Sequence, residues 1–191
     1  GWFKQPLRRL DDLKGVRIRT AGLGGEIYRQ LGAATVTLPP SEIFGALQSG
    51  AIDAVEVLGP FSDRALGFNQ VADNYYYPGF NKPNGTAEAL INANLWSSLD
   101  TDVRAAVQNA CDAENDAGLA DATWFNAQAL KALQAEGTNS QALPADIIAT
   151  AQEAARGVLA DFADTNAMTR KVQQSYAQAV ASLSAWDGVQ S

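Results

Sequence analysis

The chain has 191 residues, 47% of them hydrophobic and 18% charged, which is the composition of a folded globular protein rather than a disordered one. Its net charge of −7 argues against nucleic-acid binding, because that binding depends on clustered lysine and arginine. Histidine is absent and Cys111 is the only cysteine, so no Ser-His-Asp or Cys-His catalytic site, no His-rich zinc site and no intrachain disulfide can form.

Short strands and helices alternate in the first half of the chain. Residues 16–20 alternate polar and apolar side chains, which is typical of a strand, and the glycine-rich turn that follows leads into a short helix. The next predicted elements are a strand at 35–38, a helix from the N-cap Ser41 to Gly50, and a strand at 54–58 that Gly59 and Pro60 end. This order implies a parallel sheet with helices on its faces.

The rest of the chain changes from strand patterns to helix patterns. Residues 75–77 and 88–92 are predicted to form two further strands on either side of a loop. Three helices follow, from Asp100 or Thr101 to about Gly137, from Pro144 through Phe162, and from about Ala167 to Leu183. We interpret Cys111 as a small buried hydrophobic residue, and Trp96, Trp124 and Trp186 as packing residues.

Two charged residues stand at the carboxyl ends of predicted strands, which is where open parallel sheets bind ligands. Arg19 nearly ends the first strand, and its planar guanidinium matches a carboxylate through two hydrogen bonds. Glu56 lies in an otherwise apolar strand, so it needs a partner, a metal ion or water. The alternatives are a solvated Arg19, and a Glu56 that is exposed or paired with a basic neighbour.

Several motifs resemble one known family. Residues 12–19 (DLKGVRIR), 42–54 (EIFGALQSGAIDA), 56–60 (EVLGP), 75–79 (YYYPG) and 91–99 (INANLWSSL) are similar to segments of TRAP (tripartite ATP-independent periplasmic) transporter solute-binding proteins. The YYYPG and EVLGP motifs resemble the branch that binds 2-oxo acids and related monocarboxylates. The resemblance implies a lobe like that of type II periplasmic binding proteins, with a parallel-rich sheet and long C-terminal helices.

The resemblance also implies a function and a site. It implies a periplasmic receptor, not an enzyme, that captures a small organic acid and docks on membrane permease subunits. The arginine at Arg19 would pair with the ligand carboxylate. A sodium or calcium ion would bridge protein and ligand, held by carboxylate oxygens of Glu56 and the backbone carbonyl of Val57, since such ions prefer oxygen ligands. Phe61 and Phe80 are further candidate ligand-binding residues.

The sequence departs from that branch beside the expected cation. Val57 stands where the branch has tryptophan, which leaves room for a ligand bulkier than pyruvate. After Phe80 come Asn81 and Lys82, and Lys82 falls on a position that is acidic in the branch. Because a lysine there repels a metal ion, we expect the Lys82 ammonium to replace the cation and pair with Glu56 and the ligand. Asn81 and Lys82 complete the set of candidate ligand-binding residues.

The resemblance covers only the second half of the family's length. We expect an α/β ligand-binding lobe with hinge strands at 11–93, a helical region at 94–191, an N-terminal lobe that is largely missing, and a signal peptide upstream. Exposed strand edges and apolar surface would then favour self-association. The alternative functions are a ligand-sensing regulatory domain of the same fold and an enzyme that uses Glu56 as a general base.

Overall fold

The structure is a computed structural model that describes residues 1–80 and 88–190, without the side chains of 185–190. Its sheet has six strands, β1 (Trp2–Phe3), β2 (Arg17–Arg19), β3 (Ala34–Val36), β4 (Ala54–Val55), β5 (Asn74–Tyr77) and β6 (Asn139–Ala142). Its helices are α1 (Gly22–Gln30), α2 (Pro40–Ser49), α3 (Pro60–Ala65), α4 (Ala93–Ser98), α5 (Thr101–Ala135), α6 (Ala145–Asp164) and α7 (Ala167–Gln190).

The strands lie in the order β3-β2-β4-β1-β5-β6. Parallel pairing joins β2 to β3, β2 to β4 and β5 to β6, whereas β1 runs antiparallel to both of its neighbours. The predicted parallel-rich sheet followed by long helices is therefore confirmed. Strand β1 was not predicted, because two residues are too few to show an alternating pattern.

The two faces of the sheet bury separate apolar clusters. Because side chains alternate along a strand, Phe3, Ala54 and Tyr76 lie on one face with α1 and α6, while Trp2, Val55 and Tyr75 lie on the other with α2. Leu133, close to the end of α5, packs into the second cluster and ties that helix to the sheet.

Several local predictions were wrong in detail. The segment 88–92 forms no strand, and Leu90 and Ile91 are exposed. Helix α2 begins at Pro40 with Pro39 as its N-cap, so Ser41 does not cap it, although Gly50 ends it with the left-handed conformation expected of glycine. Strand β6 was missed because its polar sequence lies between two strong helix patterns.

Helix α5 is long and largely solvated. Within it, Ala129 and Leu133 are the buried residues. Cys111 is exposed, so its interpretation as a buried residue was wrong, and Trp124 is 62% exposed rather than packed. None of the helices in the described part of the chain combines the length and apolarity needed to cross a bilayer.

Candidate functional site

The backbones of Arg19 and Glu56 meet at one edge of the sheet. In the parallel register of β2 and β4, Arg19 lies opposite Val55, and the backbone N–H of Glu56 donates to the carbonyl of Arg19 at 3.3 Å. The two candidate residues, predicted separately from the ends of two strands, are thus neighbours. Their backbones lie where the strands end and the connections to α1 and α3 begin.

The guanidinium of Arg19 is half-buried and held in place. Its Nε and Nη2 donate to the carbonyl oxygen of Leu38, at 3.2 and 3.1 Å. A guanidinium carries about five N–H groups, and these contacts use two of them. A side chain anchored in this way loses less conformational entropy when it binds an anion.

Glu56 is buried, with 5% of its surface exposed. The hydroxyl of Tyr28, on α1, donates to Glu56 Oε2 at 2.8 Å. Burial raises the pKa of the Tyr28 hydroxyl well above its usual range, and the nearby Glu56 carboxylate raises it further, so this hydroxyl stays protonated and acts as a donor. The Tyr28 ring also packs on Phe80, with 4.4 Å between ring centroids.

The backbone of Gly79 lies directly against Glu56. A Cβ added at residue 79 would stand 2.7 Å from Glu56 Oε1 and 3.4 Å from its carboxyl carbon. The backbone at Gly79 is not in the left-handed region, so glycine is required here for space rather than for conformation. Glu56 is thereby enclosed between α1 and the segment that follows β5.

The residues after Glu56 point toward α5. Val57 is half-buried and packs against the apolar cluster that contains Trp2. Phe61 is 52% exposed, and its ring stacks on Phe125 of α5 at 5.3 Å between centroids. Asn81 and Lys82 lie outside the described residues.

A buried carboxylate also shapes the loop between Glu56 and α3. Asp63 accepts hydrogen bonds from the Trp2 indole N–H at 3.0 Å and from the Leu58 backbone N–H at 3.3 Å. Burial raises the pKa of Asp63, and the hydrogen bond from Trp2 opposes that rise. Sequence reasoning missed Asp63, although an acidic residue at the start of a helix signals an N-terminal contact.

The Glu56 carboxylate and the Tyr28 hydroxyl place oxygen atoms together at this site, and oxygen ligands suit a hard cation. Within residues 1–80 and 88–190, however, no cluster of three or more acidic, cysteine or histidine side chains could hold a metal ion. A cation here would depend mainly on one carboxylate.

Comparison with known proteins identifies relatives for most of the chain. The sequence model of bacterial extracellular solute-binding proteins, family 7 (DctP), matches residues 1–166. A monocarboxylate 2-oxoacid-binding periplasmic protein of a Nostoc species is 34% identical over 189 residues, which are 99% of this chain and 52% of the relative. The chain thus spans about half the length of this curated relative.

Two solved structures share the fold. A TRAP transporter solute-binding protein from Bordetella bronchiseptica, with copurified calcium and picolinate, has a TM-score of 0.92 at 28% identity, over 99% of this chain and 56% of that one. A TRAP periplasmic solute-binding protein from Pseudoalteromonas atlantica, with bound sodium and pyruvate, has a TM-score of 0.85 at 30% identity, over 97% of this chain and 57% of that one. These similarities confirm the predicted fold class.

Proposed function

Because this chain belongs to the family 7 bacterial extracellular solute-binding proteins, we propose that it forms the ligand-binding part of a TRAP transporter receptor in the periplasm. The family consists of binding proteins for transporters and not of enzymes. The proposed ligand is a small organic monocarboxylate, in the first place a 2-oxo acid. The proposed partners are the membrane permease subunits of the same transporter.

The observation that carries this proposal is the backbone pairing of Arg19 with Glu56 at the carboxyl ends of β2 and β4. An anchored, half-buried guanidinium at the carboxyl end of β2 is suited to receive a ligand carboxylate. The Nostoc relative, which is named for 2-oxo acid binding, shares 34% of its aligned residues with this chain. The division into an α/β lobe at 11–93 and a helical region at 94–191 is part of the same proposal, with β1 and β6 as strands that lie outside 11–93 and join the sheet of the lobe.

The buried Glu56 carboxylate serves the ligand through a positive charge beside it. The Bordetella and Pseudoalteromonas proteins hold calcium and sodium respectively, and Glu56 with the Val57 carbonyl would hold such an ion here. We propose instead that the Lys82 ammonium takes the place of the ion in this chain, because Lys82 stands at a position that is acidic in the branch it resembles. Phe80, Asn81 and Phe61 would complete the walls of the site.

The size of Val57 favours a ligand larger than pyruvate. Valine is much smaller than the tryptophan expected at this position, so the site gains space beside Glu56. The Bordetella relative was found with picolinate, an aromatic carboxylate. We therefore extend the proposed ligand class to compact aromatic carboxylates.

Self-association of the chain is a further part of the proposal. The middle of α5 exposes a shallow apolar concavity lined by Leu119, Ala120, Thr123, Trp124 and Ala127, together with Asp116. Exposed apolar patches of this kind mark interaction surfaces. We commit to a second copy of this chain as the occupant, since Leu119 and Trp124 are 72% and 62% exposed there and a copy would offer the same apolar surface in return.

A binding experiment tests the ligand proposal. Pyruvate, lactate and picolinate are tested as ligands by isothermal titration calorimetry and by thermal shift. Both the purified chain and the full-length protein that its gene encodes are used. Binding stabilises a protein by about 2.7 kcal/mol at a hundredfold excess of ligand over the Kd. Arg19→Ala should abolish the response, whereas Arg8→Ala, which removes an exposed arginine, should leave it unchanged. An unchanged response in Arg19→Ala would refute the anchoring role.

The same titration distinguishes a site that holds a metal ion from one in which Lys82 replaces the ion. It is run in a chelator with a potassium buffer, and then with added calcium or sodium. Binding that does not change between these conditions supports Lys82, and Lys82→Met should then abolish it. Binding that requires either ion contradicts the lysine hypothesis and supports a cation held by Glu56.

A further inference from the structure

One oxygen of the Glu56 carboxylate accepts a hydrogen bond, and the other lies close to the backbone of a glycine. Tyr28 donates its hydroxyl to Oε2 at 2.8 Å, and the Gly79 backbone lies so close to Oε1 that a Cβ there would approach it to 2.7 Å. The first contact comes from α1 and the second from the segment after β5. Rotation of the carboxylate would break the hydrogen bond from Tyr28, and the Gly79 backbone limits the space on the other side.

We propose that Tyr28 and Gly79 are positioning residues for the ligand site, which fix the orientation of Glu56 before the ligand arrives. The inference rests on the proposed function, in which Glu56 serves the ligand through a neighbouring positive charge. A charge-bearing group that is already oriented does not have to be ordered during binding, so the affinity is higher. Neither residue has to touch the ligand for this effect.

The Tyr28 contact has the properties that this role requires. The side chain is 2% exposed, so water does not compete for its hydroxyl. Its ring packs on Phe80, and Tyr28→Phe keeps that packing while it removes the single hydroxyl. Because hydrogen bonds to charged groups are among the stronger ones, the loss should weaken ligand binding by about tenfold.

The Gly79 backbone limits the space beside the same carboxylate, because a side chain at residue 79 would collide with Oε1. In Gly79→Ala the new methyl group displaces Oε1, which strains the hydrogen bond from Tyr28 on the other side of the carboxylate. We expect a similar loss of affinity, about tenfold. Gly45→Ala is the matched control, because a Cβ at that position in α2 meets no atom within 4 Å.

The test is a mutant cycle with pyruvate as the probe, with and without calcium. Affinity is measured for the wild type, Tyr28→Phe, Glu56→Gln and the double variant, with Tyr176→Phe as a control at an exposed tyrosine. If Tyr28 acts through the Glu56 charge, Tyr28→Phe weakens binding about tenfold in the wild type and at most about twofold in Glu56→Gln. Equal losses in both backgrounds, or wild-type affinity in Tyr28→Phe, would overturn the proposal.

The design separates this inference from the proposed function. If Glu56→Gln weakens binding but Tyr28→Phe and Gly79→Ala do not, the positioning role fails and the receptor function stands. If the wild type binds no carboxylate, the receptor function fails. The same four proteins then test the contact by thermal unfolding, and additive changes in Tm for Tyr28→Phe and Glu56→Gln would show that the two residues are not coupled.

Discussion

Asn126 of α5 accepts a hydrogen bond from the backbone N–H of Phe61, with 3.0 Å between Oδ1 and N. The same side chain covers Gly59, where an added Cβ would stand 2.5 Å from Oδ1. The Asn126 amide thus contacts the segment that leads away from Glu56 at two residues, in addition to the stacking of Phe61 on Phe125. Movement of α5 and movement of this segment are therefore linked.

Asn126→Ala should lower the free energy of unfolding by about 1 kcal/mol, because the Phe61 N–H loses its acceptor. Gly59→Ala should also destabilise the protein, since its methyl group collides with Asn126. In the double variant the collision is absent, so Gly59→Ala should cost less than it does alone. Urea denaturation of the four proteins measures this coupling, and strictly additive costs would contradict the contact.

Removal of the Asp63 carboxylate should lower the free energy of unfolding more than the loss of the Asn126 amide does. In Asp63→Ala the Trp2 indole N–H stays buried without an acceptor, and we expect a loss of about 2–3 kcal/mol. Asp63→Asn retains one oxygen for the indole and avoids a buried charge, so it should cost clearly less. Denaturant unfolding monitored by tryptophan fluorescence compares the two variants, and an equal loss in both would argue against the indole contact.

The pair formed by Arg17 and Asp53 should make stability depend on pH. The hydrogen bond from the Arg17 side chain lowers the pKa of Asp53 below its usual 3.8. The stabilisation is therefore complete above about pH 4 and is lost as the pH falls through the lowered pKa in the folded state. Because both side chains are partly exposed, Asp53→Asn should cost at most about 1 kcal/mol at pH 7.

Thermal melts between pH 2 and pH 7 check this prediction. The difference in stability between the wild type and Asp53→Asn should shrink as the solution becomes acidic. Asp121→Asn, at an exposed position on α5, serves as the control for loss of a carboxylate. A difference that stays constant over the whole range would show that the ion pair does not contribute.

Self-association should depend on the apolar concavity of α5. The substitutions Leu119→Gln and Trp124→Gln together remove the two large side chains that line it. We expect the apparent mass in size-exclusion chromatography with light scattering to fall to that of a monomer. Leu90→Gln, at another exposed apolar residue, should leave the mass unchanged. A wild type that is already monomeric contradicts the proposal.

The elements with a local signature could be predicted from sequence. The alternation around Ile18 and the N- and C-terminal signals of α5 depend on neighbours in the chain, and the structure confirms both elements. Helix α3 was missed because Gly59-Pro60 was interpreted only as the end of a strand, although proline also favours the first turn of a helix. The Gly59-Pro60 pair is compatible both with the end of a strand and with the start of a helix.

The burial of side chains and the residues that they contact could not be predicted in the same way. The alanine-rich pattern of α5 is compatible with a packed or a solvated helix, so nothing in the sequence distinguished an exposed Cys111 from a buried one. Arg19 and Glu56 were found because a charge at a strand end is unusual. Tyr28 and Gly79 have no unusual local context, and only the fold brings them to the Glu56 carboxylate.

Strand β1 has a mechanical consequence. In the described sheet, β3, β2 and β4 connect to β5 and β6 through β1, whose pairing at Trp2 and Phe3 is extended by backbone hydrogen bonds of Gly1 and Lys4. A pulling force applied between β3 and β6 is therefore carried by this short strand together with the packing of α1 on α6. Arg19 and Glu56 both lie on the β2–β4 side of β1, so a force that crosses β1 does not act between them.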